Sequence, residues 1–125
     1  MAVTTESGNA PVDLDVRHGH LVAQVRTQLL GQNEAHLVAE ALAKALRGFE
    51  GKGHYFVLDL SQVAMLSSLG LGMCVDTRHR AIERGMRPVL FGLSPQLLEL
   101  LRMMKIDRLF TFVHGAAELE RMLEA

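Results

Sequence analysis

The chain lacks a second cysteine. Cys74 stands alone among 125 residues, which excludes an intramolecular disulfide. It also lacks an excess of either charge: 13 basic and 14 acidic side chains leave a formal net charge of −1. Such a balance offers no electrostatic footprint for a nucleic-acid backbone or an anionic membrane, so neither partner is expected. No apolar run approaches the ~18 residues that a membrane-spanning helix needs, and membrane insertion is not expected either. The opening MAVTTESGNA has neither a basic start nor an apolar stretch behind it, which argues against a secretory leader and for a cytoplasmic address.

What is present is apolar material: 49% of the residues are hydrophobic, enough for one domain with one continuous core. Residues 1–10 mix small and polar side chains without a period and read as a mobile tail, leaving 11–125 as the domain. Val12, Leu14 and Val16 alternate with polar residues, His18-Gly19 interrupts, and Leu21 to Val25 resumes the apolar run, which predicts a hairpin. From Asn33 the period lengthens, with Val38, Leu42, Ala45 and Phe49 on one face of an amphipathic helix. Gly48, Gly51 and Gly53 supply its exit.

His54 to Leu60 (HYFVLDL) is aromatic and β-branched and reads as a buried central strand. A second helix is predicted over residues 69–84, with Asp76, Thr77, Arg80, Glu83 and Arg84 as its polar face and Gly85 at its left-handed end. PVLFG at 88–92 predicts a strand that starts at Val89, because proline cannot donate to a ladder. Ser94-Pro95 caps a short helix rich in leucine, and a strand around Leu109 to Val113 and a helix from Ala116 close the chain. Strand-helix units repeated after a hairpin predict an α/β fold, a sheet layered with helices.

The segment LDLSQVAMLSSLGLG, residues 58–72, places two hydroxyls and two glycines where strand gives way to helix. A phosphate cradle, a nucleophile, a helix cap and a modification site are the four candidates. A dinucleotide loop requires a third glycine where Val75 stands, and no Gly-Lys-Ser or Gly-Lys-Thr of a Walker loop occurs. The glycine-x-serine-x-glycine elbow is absent, and Cys74 reads as packing material, so no catalytic residue is assigned and no enzyme is expected. His18-x-His20 has no third ligand nearby, so solvated histidines are expected, with no metal and no cofactor. Ser68 is expected to cap the helix, for about 1 kcal/mol. Gly70 and Gly72 allow a neighbouring strand or a partner to pass close to the backbone. A serine at a helix N-terminus is also where an added phosphate meets partly positive amides and alters any surface docked there.

HYFVLDL, then SQV, a hydrophobic pair and SSLGLG together resemble the signature of the STAS domain, best known from bacterial anti-sigma factor antagonists. Ala81-Ile82-Glu83-Arg84-Gly85 with the strand after it, Ser94-Pro95, and Lys105-Ile106-Asp107-Arg108-Leu109-Phe110 resemble further parts of the family pattern. Nearly the whole chain from Val12 is covered. The resemblance implies a single STAS-like domain over 11–125, a mixed sheet of about four to five strands with about four helices packed on it. The family carries Asp-Ser-Ser or Asp-Ser-Thr before Gly-Leu-Gly, and a partner kinase phosphorylates the first hydroxyl after the aspartate. Matching on Gly70-Leu71-Gly72 places Ser68 at that hydroxyl, with Ser67 as the alternate. Ser67 then stands at the aspartate position and Leu69 at the second hydroxyl, both departures from the pattern.

By resemblance, Ser67, Ser68, Leu69, Gly70, Leu71 and Gly72 form a partner-binding surface. The implied partner is an anti-sigma factor with a serine kinase of histidine-kinase-like ATPase fold; its capture frees a sigma factor. Phosphorylation ends binding and a PP2C-type phosphatase restores it. A homodimer is left open. The competing reading is a scaffold subunit, stressosome-like or the cytoplasmic STAS partner of a lipid-transport ATPase.

Overall fold

The computed structural model describes residues 10–50 and 53–125. The tail expected over 1–10 thus lies outside the described residues except for Ala10, which is buried; Gly51, part of the expected helix exit, also lies outside them. Strands β1 (Val12–Arg17) and β2 (His20–Val25) form the predicted hairpin. Its two turn residues, His18 and Gly19, have φ of 50° and 82°, the left-handed pair whose twist matches that of the strands it joins.

Then follow β3 (Leu29–Leu30), α1 (Gln32–Arg47), β4 (Tyr55–Asp59), β5 (Met65–Leu66) and α2 (Ser68–Glu83). The chain continues with β6 (Arg87–Phe91), α3 (Pro95–Met103), a 3-10 turn (Asp107–Leu109), β7 (Thr111–Val113) and α4 (Ala116–Glu124). The main sheet is mixed, in the order β1-β2-β4-β6-β7, with only the hairpin antiparallel. β3 and β5 make a separate parallel pair, Leu29 opposite Met65 and Leu30 opposite Leu66. Among the described residues, five strands in the main sheet and four helices agree with the expected α/β architecture.

Successive strand residues face opposite sides, and the two cores follow from that alternation. Leu21, Ala23, Val25, Phe56, Leu58 and Leu90 join the large core with the buried faces of α1, α2 and α3. The residues between them, Val22, Val57 and Val89, join Val113 against Leu119 and Leu123 of α4. A strand covered on both faces needs a continuous apolar run, which is why FVL at 56–58 lies in the middle of the sheet.

Four expectations about packing are corrected. The buried stripe of α1 is Ala35, Val38, Leu42 and Leu46; Ala45 is half-buried, and Phe49 lies beyond the helix end. Steps of three, four and four keep that stripe on one side of a 3.6-residue turn, and they bring Leu46 fully inside, while Ala45 and Phe49 pack on the same core from its margin. Thr77, assigned to the polar face of α2, is buried, and its hydroxyl reaches Met73 Sδ at 3.5 Å.

Strand β6 begins at Arg87 and includes Pro88. Arg87 N–H donates to His54 O at 2.6 Å on the β4 side. Successive N–H groups point to opposite sides, so Pro88 lacks a donor only towards β7, whose ladder starts one residue later with Val89 opposite Thr111. His20, expected in solvent, is buried at the C-terminal end of α4, where Nε2 lies 3.0 Å from Leu123 O. Among the described residues no helix is long and apolar enough to cross a membrane.

Candidate functional site

The loop after β4 is held before it reaches the serines. Asp59 Oδ1 accepts from Ser61 N–H at 2.9 Å and from Ser61 Oγ at 2.6 Å. The N–H groups of Ala64 and Met65 both donate to Gln28 O, at 2.7 and 3.0 Å. These bonds align β5 with β3 and deliver the chain to α2 at a defined point.

The helix N-cap is Ser67, not Ser68. Ser67 has extended backbone (φ −79°, ψ 173°), and its Oγ accepts from Gly70 N–H at 3.1 Å. Its carbonyl already receives Leu71 N–H at 3.0 Å, closing the first helical turn. Ser68 is therefore the first helical residue, where a hydroxyl no longer points back over the free amides, and it is exposed. Ser67 Oγ also donates to Leu30 O at 3.1 Å, and Ser67 N–H donates to the same oxygen at 3.1 Å. A single carbonyl of β3 thus anchors the start of α2.

The two glycines have different reasons to be there. A Cβ on Gly70 would come within 2.8 Å of Leu30 O, a backbone atom that cannot step aside, so this glycine exists for the close approach of β3. At Gly72 a Cβ would meet nothing within 4 Å, and the residue is exposed. Leu71 between them is half-buried and packs on the large core.

Exposed apolar side chains stand on the three elements that meet at this joint, β3, β5 and the first turn of α2. Leu29, Met65 and Leu69 are 51%, 64% and 52% exposed, and Leu29 and Met65 are cross-strand partners in the small sheet. No acidic side chain stands in the first turn of α2. Among the described residues, the N–H groups of Ser68 and Leu69 have no protein acceptor, leaving the positive end of the helix dipole open to an anion. The six residues singled out in the sequence are thus contiguous here, but they divide by role. Ser67, Gly70 and Leu71 build the joint, while Ser68, Leu69 and Gly72 face outward.

Leu29, Leu30 and Gln28 were missed, because a two-residue strand carries no period and its role depends on a partner 36 positions further along the chain. No nucleophile comes together with a base here. Ser67 Oγ is bonded to Leu30 O and Gly70 N, and among the described residues no histidine or carboxylate bonds to either serine. Cys74 is buried, and burial pushes its thiol up to about 12, far above the range of a reactive thiolate. On the other side of the sheet His18, Glu120 and Glu124 gather their ligand atoms within 4.8 Å of one another. Glu120 is already engaged there by Arg17 and by His18 Nε2 at 2.8 Å.

The family model of the STAS domain matches residues 12–119. No curated protein matches the sequence. Among solved structures, an anti-sigma-factor antagonist (STAS) domain protein from Planctomyces limnophilus is similar at 19% identity, with 93% of this chain and 99% of that one covered and a TM-score of 0.80. The anti-sigma factor antagonist SpoIIAA in its unphosphorylated form is similar at 13% identity, covering 98% and 97% of the two chains with a TM-score of 0.65. A sulfate transporter family protein from Wolinella succinogenes is similar at 19% identity, covering 86% and 89% with a TM-score of 0.65. At such identities the likeness is one of fold.

Proposed function

We propose that this chain, which belongs to the STAS domain family, is a protein-protein switch that captures an anti-sigma factor and so frees a sigma factor. The observation that carries the reading is the exposure of Ser68 on the first turn of α2, flanked by Leu29, Met65 and Leu69 and by the open backbone at Gly72. An exposed apolar patch of this kind fits a docking surface, and a bare glycine lets a partner's backbone approach. The partner is a serine kinase of histidine-kinase-like ATPase fold, and Ser68 is its acceptor, with Ser67 the alternate.

Phosphorylation adds a charge of about −2 to the middle of that patch. The free amides of Ser68 and Leu69 stabilise the phosphate in the unbound protein, whereas docking would have to strip its water against Leu29, Met65 and Leu69. Binding therefore ends, and a PP2C-type phosphatase restores it. Solved structures of SpoIIAA, one unphosphorylated and one from Bacillus in the phosphorylated form, make the same alternation familiar within the fold.

A second reading, a scaffold subunit without phospho-switching, is favoured by one observation: no acidic residue stands in the first turn of α2 to guide a kinase. Affinity capture from the native cytoplasm with wild-type protein and with Ser68→Asp separates the two. The switch expects a kinase of the ATPase fold retained by wild type and released by Ser68→Asp, and one phosphate on Ser68 after ATP is added. Transporter or scaffold subunits held equally by both proteins, with no phosphate incorporated, would overturn it.

A further inference from the structure

At the far end of α2 the surface changes character. Ile82 stands 14 positions after Ser68 in the same helix, about 21 Å along its axis. There a cleft of about 460 Å³ opens, with Ile82, Met86, Pro88, Leu109 and Phe110 supplying apolar wall. Three arginines, Arg78, Arg87 and Arg108, line the same cleft. It exists because β7 is short: Arg87 and Pro88 of β6 project beyond the first β6-β7 pair, Val89 with Thr111. The chain reaches β7 through the 3-10 turn, which puts Arg108 at the cleft.

Among the described residues, the arginines of this cleft form no ion pair. Ion pairs elsewhere join Arg17 to Glu120, Arg26 to Asp13 and Arg80 to Asp76. Among the described residues, by contrast, no carboxylate comes within 4.0 Å of Arg78, Arg87 or Arg108. Arg78 is held in place, since its Nε donates to Leu109 O at 2.8 Å, and its terminal nitrogens remain for another acceptor. Three cations on an apolar wall, in a chain whose net charge is −1, are a local departure that an anion would complete. The volume falls in the range of small-molecule sites, about 300 to 1,000 Å³. A guanidinium fork matches the two oxygens of a carboxylate or phosphate.

We propose that this cleft binds a small amphiphilic anion, its oxyanion head on Arg87 and Arg108 beside Arg78 and its apolar body on Ile82, Met86, Pro88, Leu109 and Phe110. The site is separate from the Ser68 surface, and it stands whether or not Ser68 is a phosphorylation site. Arg87 and Arg108 are exposed, and the one hydrogen bond of Arg87 given above is made by its backbone, so both side chains can be changed without dismantling the fold.

The test is a titration of the isotope-labelled full chain with octyl phosphate below its micelle concentration, followed by amide shifts and calorimetry. Octanoate, inorganic phosphate and 1-octanol are titrated alongside, against wild type and the Arg87→Gln/Arg108→Gln double variant. Thermal melts check that the variant remains folded. Octyl phosphate or octanoate should saturate and shift amides in 82–88 and 108–111, the stronger of the two identifying the preferred head. The double variant should bind at least about tenfold more weakly, and so should wild type with inorganic phosphate or octanol. Absence of saturation by either amphiphile, equal binding by the folded double variant, or equal binding of octanol or of phosphate alone would each overturn the proposal.

Discussion

The hydroxyl of Ser67 donates to the carbonyl of Leu30 at 3.1 Å while accepting from Gly70 N–H at 3.1 Å. One side chain therefore closes the helix end and ties it to a strand residue 37 positions upstream. An aspartate at this position could accept from Gly70 equally well, but it has no proton for Leu30. By its resemblance to the family pattern this serine stands at an aspartate position, and here it keeps the cap and adds a bond.

Removing Ser67 should cost more stability than removing Ser68. Ser67→Ala loses the cap and leaves Leu30 O short of one donor, for about 1–2 kcal/mol. Ser68→Ala, at an exposed first helical position, should cost less than about 0.5 kcal/mol. Urea melts of the two variants check this. Equal losses, or a larger loss at Ser68, would contradict the cap assignment.

The two glycines should respond in opposite directions. Gly70→Ala forces a methyl to 2.8 Å from Leu30 O, and the strain should destabilise by about 1–3 kcal/mol. Gly72→Ala enters open space inside a helix and should stabilise by about 0.5–1 kcal/mol. If Gly72 touches the partner, that more stable variant should also bind it more weakly. Melts and partner titrations on the same samples read both effects.

Ser68→Asp should uncouple stability from binding. A carboxylate in the first turn of α2, which has no acidic residue of its own, should stabilise the helix by about 0.3–1 kcal/mol. The same charge in the Leu29, Met65 and Leu69 patch should weaken docking of the captured partner at least about tenfold. Ser67→Asp should speed phosphorylation by the cognate kinase if a carboxylate there guides it, at the cost of the Leu30 bond. Phosphosite mass spectrometry and titration decide. Phosphate on Ser67, or unchanged binding by Ser68→Asp, would count against the switch.

Stability should fall on mild acidification because of His20. Its Nδ1 accepts from His54 N–H at 3.0 Å and Tyr55 N–H at 3.1 Å, so the neutral ring carries its proton on Nε2, facing Leu123 O. Burial holds the imidazole pKa below its ordinary 6.5, the carbonyl of Leu123 opposes this, and the nearby His54 and His18 reinforce it. The unfolded chain therefore takes up the proton first. The stability due to neutral His20 is present above 6.5 and is lost as pH falls below it, by at most about 1.4 kcal/mol per pH unit. Glu120, whose carboxyl is held low chiefly by its hydrogen bond to His18, adds its own loss only from its ordinary 4.5 downward. Urea melts between about pH 7.5 and about pH 5.5 should slope in wild type and flatten in His20→Gln. An unchanged slope in that variant would assign the effect to other groups.

Elements that carry their own period were legible in the sequence by itself. HYFVLDL reads as a buried central strand, Val38 and Leu42 lie a helical turn apart, and Ser94-Pro95 is a local start signal whose cap needs nothing beyond Leu97. The position of the SSLGLG turn, and its likeness to the STAS pattern, were likewise properties of neighbouring residues. What the tertiary structure decided are the relationships between segments distant along the chain. Which of two adjacent serines caps α2 depends on where β3 delivers the Leu30 carbonyl, and Gly70 differs from Gly72 only because that carbonyl passes one of them. His20 became a buried acceptor because the starts of β4 and the end of α4 meet on it. Arg78, Arg87 and Arg108 share a cleft although nothing in their spacing joins them. Local period and capping are set by bonds and sterics within a few residues, which a sequence displays. A carbonyl or a guanidinium 30 positions away acts only once the sheet has brought it within hydrogen-bonding distance.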